Sequence, residues 1–125
     1  MNVFNNDTPI YLQVKEHIET AILNNDLAEN ESLPSLRQLA KDFVLNPITI
    51  SNAINLLEDE GILFKKRGIG VFVEKNAKSK IISKQRNEFL LKTLSQTIEK
   101  AKLLEINEEV LINQVKKIYG GGNDK

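Results

Sequence analysis

From Ile10 to Asn24 the apolar residues Tyr11, Val14, Ile18, Ala21 and Ile22 recur at helical spacing, so one face of a first helix is buried. Thr8-Pro9 is its start signal and Asn24-Asn25-Asp26 its end. The short polar stretch from Leu27 to Leu33 reads as a connecting loop anchored at its two leucines. Ser35 then opens a second helix with Gln38 three residues on, the spacing of a reciprocal capping box. Leu36, Leu39, Ala40 and Phe43 form its inner face. After the turn Val44-Leu45-Asn46, Asn46 caps a third helix with Pro47 at its first position. Ile50, Ala53, Ile54 and Leu57 face inward there, which leaves Thr49, Ser51, Asn52 and Asn55 outside until Gly61 ends the helix.

The period then changes. Ile62 to Lys66 and Val71 to Glu74 are β-prone segments around Arg67-Gly68-Ile69-Gly70, which predicts a tight hairpin. Lys75 to Lys80 reads as a linker. Ile82, Arg86, Phe89, Leu90, Leu94, Ile98 and Ala101 then trace a long amphipathic helix over about 81–104. Asn107 caps a last one over about 107–119, with Val110, Leu111, Val115 and Ile118 inside, and Gly120-Gly121-Gly122 stops it. The expected fold is mostly α with a small β-hairpin: a winged helix-turn-helix over 8–75, followed by two C-terminal helices over 80–119. Residues 1–7 and 120–125 are expected as loose tails.

Charge sharpens this picture. The formal net charge is zero, but the charges are segregated. Residues 1–64 hold three basic residues, Lys15, Arg37 and Lys41, against ten acidic ones; residues 65–103 hold eleven basic against three acidic. Positive charge therefore concentrates on the hairpin and the segment after it, where phosphates could be met. The small hydrogen-bonding residues outside the third helix suit base edges and phosphates better than the Glu and Lys of an ordinary solvated face. Lys65, Lys66 and Arg67 beside two glycines give the hairpin a reason to approach a phosphate backbone.

Other chemistries are poorly supplied. The chain has no cysteine and one histidine, His17, so neither a disulfide framework nor convergent catalytic partners are in view. Glu58-Asp59-Glu60, at a helix end before glycine, reads as a solvated face rather than a cation site. Gly68-Ile69-Gly70 lacks the third glycine and following helix of a phosphate-cradling loop. No metal, no cofactor and no enzyme activity are expected. The N-terminus carries neither a basic start nor an apolar run, and no segment has the ~20 apolar residues that cross a bilayer; a cytoplasmic protein with no membrane partner is the simplest expectation.

From Pro9-Ile10-Tyr11 through Val73, about half of the chain, these linked motifs resemble the GntR family of bacterial transcription regulators. The short C-terminal part, with Ala101-Lys102-Leu103-Leu104 leading into Asn107-Glu108-Glu109, looks like the YtrA-like subfamily, in which two helices replace a larger effector domain. The resemblance implies a homodimeric regulator of double-stranded DNA, usually a repressor, and leaves a small-molecule effector of unidentified chemistry open. By motif position it places DNA contacts on Ser35, Arg37, Asn46, Thr49, Ser51, Asn52, Arg67, Gly68 and Gly70, and the basic pair Lys65 and Lys66 joins them on charge. Dimerisation falls to Phe89, Leu90, Leu94, Ile98, Leu111, Val115 and Ile118. There are two departures from the family pattern. Asn52 stands where many members carry a basic residue, and Ile69 and Val71 stand where polar or basic wing-tip residues are common. The same apolar core would also serve a winged helix kept for protein contacts; the outer face of the third helix and the basic hairpin favour DNA.

Overall fold

The 3.6-residue spacing of Val14, Ile18 and Ile22 becomes helix α1 (Ile10–Leu23), and all three side chains are buried. The structure is a computed structural model in which residues 4–120 are described. Helix α2 (Leu36–Phe43) and helix α3 (Pro47–Asp59) follow, then strands β1 (Leu63–Lys66) and β2 (Gly70–Val73), and helix α4 (Ala77–Glu88). A π-helical turn over Phe89–Thr93 continues α4 into α5 (Leu94–Leu103), and α6 (Glu108–Tyr119) closes the described chain. Two compact units result, the first ending at Lys84 and the second beginning at Gln85.

The core of the first unit joins α1, α3 and the hairpin: Val14, Ile50, Ala53, Leu57 and Val73 are fully buried, with Leu33, Ile62, Leu63, Ala77 and Ile81 around them. Three sequence expectations shift. Leu36, assigned to the inner face of α2, is 38% exposed. The α4 residue that reaches the core is Ile81 and not Ile82, which is 42% exposed. The presumed linker is also helical from Ala77, because Ala77 and Ile81, one turn apart, bury against the core.

The segment before α2 is more than a connection. Ser32 bridges Phe72, while Leu33 N–H donates to Val71 O at 2.8 Å and Val73 N–H donates to Glu31 O at 2.9 Å. Residues 31–33 thus supply the second edge of β2 with partners, which its polar composition did not signal. At the N-terminus, the part of the expected loose tail that is described is tied down. The Gln13 side-chain amide donates to Asn5 O at 2.9 Å and Thr8 O at 2.8 Å, and accepts from Asn5 N at 3.1 Å. Phe4 meets His17 and Phe43 edge-on, at 5.2 and 5.6 Å between ring centres. Residues 1–3 and 121–125, also expected as tails, lie outside the described residues, and Gly120 serves as the C-cap of α6.

The run Glu58-Asp59-Glu60 is not simply a solvated face. Glu60 accepts from Lys15 at 3.3 Å and from Lys84 at 3.0 Å, and Lys15 also pairs with the buried Glu19 at 3.0 Å. Burial alone would lower the Lys15 pKa, but the adjacent Glu19 and Glu60 carboxylates outweigh it and raise it. Next to this cluster Lys80 donates to Gly61 O at 3.0 Å, beyond the end of α3, where a cation also suits the helix dipole. Lys78 donates to Asn25 at 3.1 Å. Much of the positive charge after the hairpin therefore ties α4 to α1 and α3.

In the second unit, Ala101 is the one buried residue among those described. Leu104 ends α5, Glu105 takes a positive φ of 58°, and Ile106 N–H returns to Ala101 O at 3.0 Å. Asn107 then caps α6 by accepting from Val110 N–H at 3.0 Å, as its position predicts.

Candidate nucleic-acid interface

Two side-chain caps set the helix-turn-helix. Ser35 Oγ accepts from Gln38 N–H at 3.0 Å and starts α2. The reciprocal half of the expected capping box is not made, since Gln38 Nε2 donates instead to Asp42 at 2.8 Å. Asn46 Oδ1 accepts from Ile48 N–H at 2.8 Å and starts α3, with Pro47 in the first turn. Both caps use an acceptor, so the Ser35 hydroxyl hydrogen and the Asn46 amide hydrogens remain to donate outward. Between the caps the turn runs through Val44 in the left-handed conformation, at φ 57° and ψ 51°.

Helix α3 buries Ile50, Ala53, Ile54 and Leu57 and leaves Asn52 and Asn55 exposed, with Thr49 and Ser51 half-exposed beside them. All four sit on the face away from the core, as the sequence pattern predicts. Arg37 is exposed on α2, one residue into the helix that Ser35 caps.

The hairpin pairs Leu63 with Val73, Phe64 with Phe72, Lys65 with Val71 and Lys66 with Gly70. Its tip is a four-residue turn in which Ile69 N–H donates to Lys66 O at 2.9 Å, with Gly68 at φ 77°. A Cβ in that conformation costs roughly 1–2 kcal/mol, so the turn itself favours glycine here. An open groove runs between Ser32–Leu36 and the hairpin, so Ser35 and the tip residues Arg67 and Gly68 line one depression.

The basic residues of the wing differ in what they touch. Arg67 is exposed at the tip. Lys66 places its Nζ over the stacked Phe64–Phe72 pair, 4.8 Å from the Phe72 ring centre, so its ammonium rests on an aromatic face while the residue stays exposed. Lys65 is turned to α3, with Nζ at 3.2 Å from Asn55 Oδ1 and 3.4 Å from Glu58. Of the two residues that make up the departure at the wing, Ile69 is 72% exposed at the tip, whereas Val71 packs against the core and is not a tip residue. The Lys65 tie was not read from sequence, although Asn55 and Glu58 fall one turn apart on α3 and β1 follows at once.

This is the surface of a winged helix-turn-helix: a capped second helix with a polar outer face, flanked by a basic hairpin. Residues 10–73 match the model of the bacterial regulatory proteins of the gntR family. The chain belongs to the GntR family. This is a family of DNA-binding transcriptional regulators and not of enzymes. Over 111 residues, 89% of this chain and 85% of the relative, the sequence is 32% identical to the HTH-type transcriptional repressor YtrA of Bacillus subtilis. A GntR family transcriptional regulator from Listeria monocytogenes superposes with a TM-score of 0.72 at 31% identity, covering 91% of this chain and 98% of that one. The DNA-binding domain of AraR, in complex with operator ORX1, superposes with a TM-score of 0.55 at 29% identity over 58% of this chain and 94% of that one. Among the described residues no helix is long and apolar enough to cross a membrane.

Proposed function

We propose that this GntR-family chain is a repressor that binds an inverted-repeat operator as a homodimer in the cytoplasm. The observation that carries the DNA contact is the groove in which the capped start of α2 meets the wing tip, together with an α3 whose start is capped by the exposed Asn46 and whose outer side is polar. Ser35, Asn46, Gly68 and Gly70 meet phosphates there, and Arg37, Lys66 and Arg67 supply charge. Thr49, Ser51 and Asn52 reach base edges. That AraR holds an operator through the corresponding domain supports the reading, and the repressor YtrA, similar along most of both chains, supports the sign of regulation.

The homodimer rests on the second unit. Phe89, Leu90, Ile98, Val115 and Ile118 are each between 41% and 68% exposed, and Leu91, Leu103, Val110 and Tyr119 are exposed as well. Leu94 and Leu111, assigned with them from sequence, are half-exposed. Apolar surface of that extent marks an interaction face, and a two-fold pairing covers it while presenting two copies of α3 to two half-sites. Incubating the full chain with a random duplex pool and sequencing what is retained tests this reading. Two inverted copies of one short sequence, about one helical turn apart, are expected, together with a dimer by light scattering. A monomer that enriches no sequence would overturn it.

A further inference from the structure

We propose that Lys65 is a positioning residue of the DNA-binding face and not one of its phosphate contacts. This rests on the DNA-binding surface assigned above. Lys65 lies on β1 opposite Val71, in the most basic stretch of the chain, and from sequence alone it belongs with Lys66 and Arg67. The geometry separates it from them. Its ammonium donates to Asn55 Oδ1 at 3.2 Å and sits 3.4 Å from the Glu58 carboxylate. Both acceptors are on α3, three residues apart, so one cation spans a turn of that helix and ties the wing strand to it.

Two consequences follow from the chemistry of an ammonium. It has donors only, so the Asn55 side chain must turn Oδ1 toward it and present its two amide hydrogens outward. Whatever Asn55 meets on DNA is then an acceptor, a phosphate oxygen or an acceptor base edge. A charge held between a carboxylate and an amide is also already neutralised in part. Moving it to a phosphate would strand Glu58, a carboxylate, beside a polyanion. An exposed ion pair contributes little stability by itself, so the value of the tie lies in the angle it sets between wing and helix.

The test uses the full chain and the duplex that the wild type retains from a random pool, with affinity measured across salt concentrations. Lys65→Met, which keeps an unbranched apolar stem, is expected to weaken binding by up to about five-fold per subunit, the scale of an exposed pair, with an unchanged slope of log affinity against log salt. Glu58→Gln, which leaves the lysine in place, is expected to weaken binding too, again without a change of slope. A phosphate contact predicts the reverse: Lys65→Met would lower the slope by about 0.9 per contact, twice that in a dimer, and Glu58→Gln would strengthen binding by releasing the lysine. Either result overturns the proposal. In the free protein, the Asn55 side-chain amide resonances should shift on Lys65→Met. If they do not move, the tie is absent whatever DNA does, so its failure is distinguishable from a failure to bind DNA, which the wild-type titration reports.

Discussion

Val44 should be replaceable by glycine with a gain in stability and no loss of DNA affinity. It sits at the C-terminus of α2 with φ 57° and ψ 51°, its N–H donating to Lys41 O at 3.2 Å while Leu45 N–H donates to Ala40 O at 2.9 Å. That pair of bonds is the Schellman arrangement, whose left-handed position is usually glycine. A β-branched residue is among the least suited to it, and the left-handed conformation costs roughly 1–2 kcal/mol even for ordinary residues. The side chain is 82% exposed, so removing it gives up little burial. Glycine loses about 0.5–1 kcal/mol more backbone entropy on folding, which leaves a net gain of about 1 kcal/mol. Urea unfolding at one fixed protein concentration should show a higher midpoint with the same m-value, and the melting temperature should rise by about 3–5 °C. Val44→Asn should gain less than glycine, and Val44→Ala less again. A lower midpoint for Val44→Gly would refute the reasoning, because the valine would then be held by contacts worth more than the strain.

Lys15→Met should destabilise the chain by ~2 kcal/mol, the scale of a charge-assisted hydrogen bond, since it removes the cation between Glu19 and Glu60. The Lys15 pKa is raised above its ordinary 10.5, so its contribution is complete below that pH and is lost as pH rises through the folded value; alkaline unfolding of the wild type should show this decline and the variant should not. Asn52→Arg should increase nonspecific affinity and change the favoured base at one position of each half-site, a discrimination of roughly 1–3 kcal/mol; identical selected sequences for both proteins would rule out base reading there. Val115→Glu with Ile118→Glu places two carboxylates on the exposed apolar face of α6, and light scattering at micromolar concentration should report a dimer for the wild type and a monomer for this variant.

Most of this architecture was legible because each device is local. Ser35, Asn46 and Asn107 were readable as caps since a cap needs only its own side chain and the next turn. The core of α3 was readable because its four buried residues repeat at helical spacing. What escaped depends on contacts distant in sequence. The bridge from Ser32 to Phe72 joins residues whose own composition is that of a loop. The start of α4 was hidden because Lys75 to Lys80 is polar apart from Ala77, and only packing reveals that Ala77 and Ile81 face the core. The charge pattern was the most misleading signal. Segregation by segment was real, but Lys65, Lys78, Lys80 and Lys84 answer acceptors within the first unit, and a sum over a segment cannot tell those from Arg67.

The central claim is that the outer face of α3 and the wing tip meet double-stranded DNA, and affinity for the selected duplex as a function of salt tests it most directly. For the wild type, log affinity should fall linearly with log salt, and Arg37→Ala and Arg67→Ala should each weaken binding and lower that slope by about 1.8, two phosphate contacts in a symmetric dimer. Wild-type affinity and slope unchanged in both variants would contradict the account, since the DNA would then lie elsewhere on the molecule.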